Sequence, residues 1–91
     1  MLKKASKAKA DRAGGKRVAI IASRYNARYV NSMLRAAKAE LAKARVTVEV
    51  VRVPGAFEIP AVASALARRL TNPIDAILCL GVILRGETTH A

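Results

Sequence analysis

The sequence predicts an α/β domain on a mainly parallel sheet, with its elements in the order β-α-β-α-β. Three observations predict it. Val18 to Ala22, Val46 to Val53 and Ile74 to Leu80 are short runs dominated by valine, isoleucine and leucine, and they read as strands. The two stretches between them place apolar residues at steps of three and four, the spacing of an amphipathic helix. Each stretch is also long enough for a crossover, so the strands it joins pair in parallel through right-handed connections.

Taken in order, the first strand, Val18-Ala19-Ile20-Ile21-Ala22, follows Gly14-Gly15 and is apolar throughout, as in a central strand buried on both faces. Ser23-Arg24-Tyr25-Asn26 ends it with polar groups and one aromatic, and Asn26 is suited to cap the helix that follows. That helix is expected from about Ala27 to Ala44. Tyr29, Val30, Met33, Leu34, Ala37 and Leu41 fall on one face, with Arg28, Arg35, Lys38 and Lys43 on the other. The second strand, Val46 to Val53, runs into the breaker pair Pro54-Gly55. A second helix begins near Glu58, with Pro60 in its first turn and Ile59, Val62, Ala63, Leu66 and Leu70 as its apolar stripe. Asn72-Pro73 closes it, and Ile74 to Leu80 is the third strand. Three strands and two helices are half of a doubly wound domain. They would leave the far side of the third strand and one face of the sheet open.

Ninety-one residues make one domain at most. The chain is 53% apolar but only 3% aromatic, so its core is built from small side chains and leans on further surface for stability. No run approaches the roughly 18 to 20 apolar residues that span a bilayer, which excludes a membrane-spanning class. A single cysteine, Cys79, excludes a disulfide framework within one chain and suits a reducing, cytoplasmic setting; within its apolar strand it reads as a small buried hydrophobe.

The net charge of +11 is unevenly spread. Residues 1 to 17 hold seven cations against Asp11 alone, a net +6, which leaves +5 for the other 74 residues. Residues 1–16 therefore read as a basic, disordered arm, and residues 17–91 as the domain. Such an arm can contact nucleic acid through counterion release. It lacks the apolar segment of a secretory signal, and its lysines outnumber its arginines, unlike an organelle transit peptide.

In a parallel sheet the loops at the carboxyl ends of the strands lie side by side, and that is where such folds build sites. Here they are Ser23-Arg24-Tyr25-Asn26, Pro54-Gly55-Ala56-Phe57-Glu58 and Arg85-Gly86-Glu87-Thr88-Thr89-His90. Together they hold two of three aromatics, two of six acids and the lone histidine. Tyr25 and Phe57 read either as lids over the sheet edge or as platforms for a planar ligand. Glu58 either complements a helix N-terminus or accepts hydrogen bonds from a polyol. Gly86 to Thr89 offers N–H groups and hydroxyls suited to a phosphate, although it matches no standard phosphate loop. His90 is either structural or the group that moves protons near neutral pH. No set of residues has metal-ligand spacing, and neither a nucleophile elbow nor a dinucleotide fingerprint is present.

Three stretches in order, Ser23-Arg24-Tyr25-Asn26, Val53-Pro54-Gly55-Ala56-Phe57-Glu58-Ile59-Pro60 and Gly81-Val82-Ile83-Leu84-Arg85-Gly86-Glu87-Thr88-Thr89-His90, resemble the successive signatures of the 6,7-dimethyl-8-ribityllumazine synthase family. The resemblance covers about residues 17 to 91. It implies a flavodoxin-like α/β sandwich that assembles into pentamers, sometimes as sixty-subunit icosahedral shells. The implied reaction belongs to riboflavin biosynthesis and needs no metal or organic cofactor. It condenses 5-amino-6-(D-ribitylamino)uracil with 3,4-dihydroxy-2-butanone 4-phosphate, releasing phosphate and water.

Carried over by position, the resemblance implies that Tyr25 stacks on the pyrimidine and that Ala56, Phe57 and Glu58 bind the ribityl chain. Val82, Ile83 and Leu84 would read the pyrimidine edge through their backbone. Glu87 and Thr88 match the loop that receives the butanone phosphate, with the Glu87 carboxylate turned away, and His90 matches the proton-transfer residue. Most members carry an aromatic where this chain has Ala91. The family also continues past the matched stretch with further strands and helices, a cationic phosphate partner and groups that complete a neighbour's site, so residues 17–91 correspond to its N-terminal part. Two other readings stand beside the enzyme: a non-catalytic ligand-binding or shell-forming scaffold of the same fold, and a nucleic-acid-binding protein acting through the basic arm.

Overall fold

The computed structural model describes residues 15–85. The expectations for most of the basic arm and for Glu87, Thr88 and His90 lie outside these residues. The elements run β1 (Arg17–Ser23), α1 (Ala27–Lys43), β2 (Thr47–Val53), a short 3-10 turn (Ala56–Glu58), α2 (Ile59–Ala67) and β3 (Ala76–Leu80). The sheet is three-stranded and wholly parallel in the order β2-β1-β3. β1 pairs with β2 from Arg17 opposite Thr47 to Ser23 opposite Val53, and with β3 from Val18 opposite Ala76 to Ala22 opposite Leu80. The expected α/β, flavodoxin-like arrangement is therefore present.

The strand order explains the layers. The chain steps from β1 outward to β2, then back across β1 to β3. Two right-handed crossovers in opposite directions put the two helices on opposite faces of the sheet. β1 is central, and Val18 to Ser23 are all buried. Ala19 and Ile21 face one side, where they cluster with Val53, Ile59 and Leu66 beneath α2. The alternate residues, Val18, Ile20 and Ala22, face the other side, which α1 covers. Along α1, Val30 is fully buried and Leu34, Ala37 and Leu41 are half-buried, steps of four, three and four, whereas Tyr29 and Met33 of the expected stripe are exposed.

Two expectations are corrected. α2 ends at Ala67, earlier than the Asn72-Pro73 breaker suggested, and Leu70 is 93% exposed instead of completing the stripe. Past the helix end, Arg69 grips Glu49 of β2 through Nη1–Oε1 at 3.0 Å and Nη2–Oε2 at 2.6 Å, and Arg17 donates to the same carboxylate at 2.9 Å. Arg69 also donates to the Asn72 carbonyl. This clamp ties the chain after α2 to the amino-terminal end of the sheet, and the helical path that would have buried Leu70 is not followed. Cys79, expected inside, is exposed, because β3 is an edge strand whose outer side has no neighbour among the described residues. Leu78 is exposed for the same reason.

Candidate functional site

The three parallel strands deliver their carboxyl ends to one edge, and hydrogen bonds lace the loops there together. Arg24 N–H donates to the Val53 carbonyl at 2.7 Å and Tyr25 N–H to the Pro54 carbonyl at 3.0 Å, so the first loop runs along the second. Arg52 Nη2 donates to the Ser23 carbonyl at 3.1 Å, and the buried Ser23 hydroxyl donates to the Tyr25 carbonyl at 3.2 Å. Asn26 Nδ2 donates to the Val82 carbonyl at 2.7 Å and joins the first loop to residues 81–85, the described start of the third loop after β3. The third loop also lies close on the second: a Cβ at Gly81 would stand 3.0 Å from Ala56 Cβ and 3.2 Å from Ile59 Cδ1.

Between these loops lies an open cleft of about 530 Å³, lined by Tyr25, Asn26, Gly55, Ala56, Phe57, Val82, Ile83 and Leu84. Its wall is mostly apolar, with the Asn26 amide among the lining groups, a composition suited to an organic ligand with few polar groups. Tyr25 and Phe57 are 73% and 81% exposed, so neither ring serves as a lid over the sheet.

Glu58 takes a different position from its neighbours. Its carboxylate turns back to accept the Gly55 N–H at 3.0 Å, closing the capping arrangement of the 3-10 turn, and it is not among the residues lining the cleft. The other carboxylate oxygen stays available as an acceptor. Among the described residues no group of three or more His, Cys, Asp or Glu stands together as a metal site.

Six of the ten residues singled out from the sequence, Tyr25, Ala56, Phe57, Val82, Ile83 and Leu84, thus meet around one cleft. The pattern that brings them there matches a protein family over most of the chain: the model for 6,7-dimethyl-8-ribityllumazine synthase matches residues 15–91. The chain belongs to that family. It is 43% identical over 82 residues to a 6,7-dimethyl-8-ribityllumazine synthase of Desulfotalea psychrophila, covering 87% of this chain and 52% of the relative. It is 46% identical over 77 residues to one of Kineococcus radiotolerans, covering 84% and 46%. A third, from Acidovorax ebreus, is 40% identical over 91 residues, covering 94% and 58%. The chain spans about half the length of the curated relatives it matches.

Within the lumazine synthase signatures, the sequence reading missed Asn26 and Gly55 as cleft residues. Asn26 stands where a helix cap was expected, but its backbone is left-handed, with φ 59° and ψ 42°, and its side chain makes no cap hydrogen bond. Its carbonyl closes the first helical turn instead, accepting from Tyr29 and Val30 N–H at 3.1 Å each. Asparagine is favoured both at helix N-termini and in the left-handed region, so its identity alone did not separate the two roles. Gly55 was read only as a turn breaker.

Proposed function

We propose that this chain contributes the pyrimidine-binding side of a lumazine synthase site. The reaction condenses 5-amino-6-(D-ribitylamino)uracil with 3,4-dihydroxy-2-butanone 4-phosphate and releases phosphate and water. The observation that supports the reading is the cleft itself: the exposed aromatic residues Tyr25 and Phe57 line one opening of about 530 Å³ together with Val82, Ile83 and Leu84.

In this reading Tyr25 stacks on the pyrimidine. Ala56 and Phe57 hold the ribityl chain, and the unengaged oxygen of Glu58 accepts from its hydroxyls. The backbone of Val82, Ile83 and Leu84 reads the ring edge. Glu87 and Thr88 receive the phosphate of the second substrate. His90 moves protons during imine formation, phosphate elimination and ring closure, steps that an imidazole serves in both directions near neutral pH. Holding two substrates together in one orientation supplies much of the remaining acceleration. No organic cofactor enters the scheme. The protein works as a homo-oligomer, a pentamer or a shell of pentamers, for which the exposed Leu78 and Val50 on the two edge strands are available surface. No helix among the described residues is long and apolar enough to cross a membrane, and a cytoplasmic setting is proposed with the enzyme.

The test is a fluorescence titration with 5-amino-6-(D-ribitylamino)uracil, followed by addition of the butanone phosphate and detection of the lumazine. Saturable binding is expected. Tyr25→Ala weakens it about 5- to 150-fold, the range for loss of one base–aromatic stack. His90→Ala slows turnover about 10²- to 10⁴-fold with binding retained. Binding that is the same with and without the Tyr25 ring would remove the stacking role, and absence of binding would remove the pyrimidine.

A further inference from the structure

We propose that Asn26 is a positioning residue: it holds the third loop against the first and so sets the width of the cleft. The inference rests on the reading of that cleft as the pyrimidine site, but its central observation is independent of any ligand. The first residue before a helix ordinarily adopts an extended backbone and uses its side chain to satisfy a free N–H of the first turn. Asn26 does neither. It occupies the left-handed region, which asparagine tolerates better than most residues with a Cβ but at a cost relative to glycine, and forgoes the cap bond. Both features act against stability locally, and they persist because something else is satisfied.

That something is the bond from Asn26 Nδ2 to the Val82 carbonyl, 2.7 Å long and spanning 56 positions of sequence. It lies at the short end of the range for N–H···O bonds. The left-handed turn at residue 26 directs the side chain away from the helix start and across to the end of β3. The first and second loops are held together by two backbone bonds, but among the described residues, 81–85 have none to either loop. Among the described residues, the Asn26 amide makes the only hydrogen bond between residues 81–85 and the other two loops. The chain also passes close to Ala56 and Ile59 at Gly81. Tyr25 precedes Asn26 in sequence, and Val82, Ile83 and Leu84 line the same cleft. The Asn26 amide is therefore the polar tie between the ring expected to stack and the segment expected to read the ring edge.

Substitution separates the parts. Asn26→Gly keeps the left-handed turn without strain and removes the tether. Asn26→Asp keeps the shape, but a carboxylate cannot donate and faces the Val82 carbonyl with like charge. In the ligand-free 91-residue chain, backbone NMR order parameters at Val82 to Leu84 are expected to drop from the rigid range near about 0.85 to below about 0.6 in both variants, with β1 unchanged. The dissociation constant for 5-amino-6-(D-ribitylamino)uracil is expected to rise about fivefold in Asn26→Gly, the factor carried by one ordinary hydrogen bond, and further in Asn26→Asp. Unchanged order at Val82 to Leu84 in Asn26→Gly overturns the inference, as does unchanged affinity where the parent chain binds. If the parent chain binds no pyrimidine while the order parameters fall as expected, the positioning role stands and the substrate reading is the one that fails.

Discussion

Replacing Gly81 by alanine tests whether the third loop is seated on the second as closely as the structure has it. The added methyl would lie 3.0 Å from Ala56 Cβ, 3.2 Å from Ile59 Cδ1 and 3.5 Å from Ala56 Cα. Carbon atoms attract best at about 3.5–4.0 Å, so at least two of these contacts are repulsive. Ile59 Cδ1 ends a rotatable chain and can turn aside. Ala56 has no side-chain torsion, and its backbone is held by the 3-10 turn, where Glu58 N–H donates to the Gly55 carbonyl at 3.2 Å. Overpacking of this kind costs about 1–3 kcal/mol. Gly81 does not need a left-handed backbone, so alanine recovers about 0.5–1 kcal/mol through the less flexible unfolded chain. The net expectation is a loss of about 1 kcal/mol. For a chain of this size that lowers the thermal midpoint by roughly 4–8 °C, read by circular dichroism. Ala56→Gly removes the atom that meets the new methyl, so the double variant should lose less than the two single losses together, with a coupling of about 0.5 kcal/mol or more. A midpoint for Gly81→Ala equal to or above the parent's, or strict additivity in the double variant, would refute the close seating.

Two further outcomes follow from the opposite end of the sheet. The Arg69 hydrogen bonds, and after them those of Arg17, hold the Glu49 carboxyl down at about 2, against 4.5 for the free group. A carboxylate depressed in the folded state adds stability above pH 4.5 that fades as the pH falls towards 2; Glu49→Gln should lower stability at neutral pH and flatten this acid limb in a pH series of urea midpoints. Leu70→Lys should change the thermal midpoint by no more than the equivalent of about 0.5 kcal/mol, because the side chain is already in water; a loss of 2 kcal/mol or more would place it in the core that its spacing suggested.

The strands and helices were legible because each carries its own period. Val18 to Ala22 is uniformly apolar and became, among the described residues, the strand buried on both faces. Val30, Leu34, Ala37 and Leu41 follow the helical step and became the row turned to the sheet. The candidate loops were legible because parallel pairing obliges the carboxyl ends of β1, β2 and β3 to share an edge. Leu70 was misread because its spacing from Leu66 continues a helix that the Arg69–Glu49 contact interrupts. Cys79 was misread because an apolar strand looks the same in sequence at an edge as at the centre.

What the sequence determined by itself is therefore local or cumulative: where the chain turns, which residues share a face, that the sheet is parallel, and which family carries the three signatures in order. What only the tertiary structure decided depends on partners far apart in the chain. Asn26 became a tether because Val82, 56 positions later, returns to within 2.7 Å of its amide. Gly81 became the favoured residue because a Cβ there would crowd Ala56 and Ile59. Glu58 turned to the Gly55 N–H because the 3-10 turn brings that donor within reach. Periodicity is a property of neighbours along the chain, and hydrogen-bond choice is a property of neighbours in space.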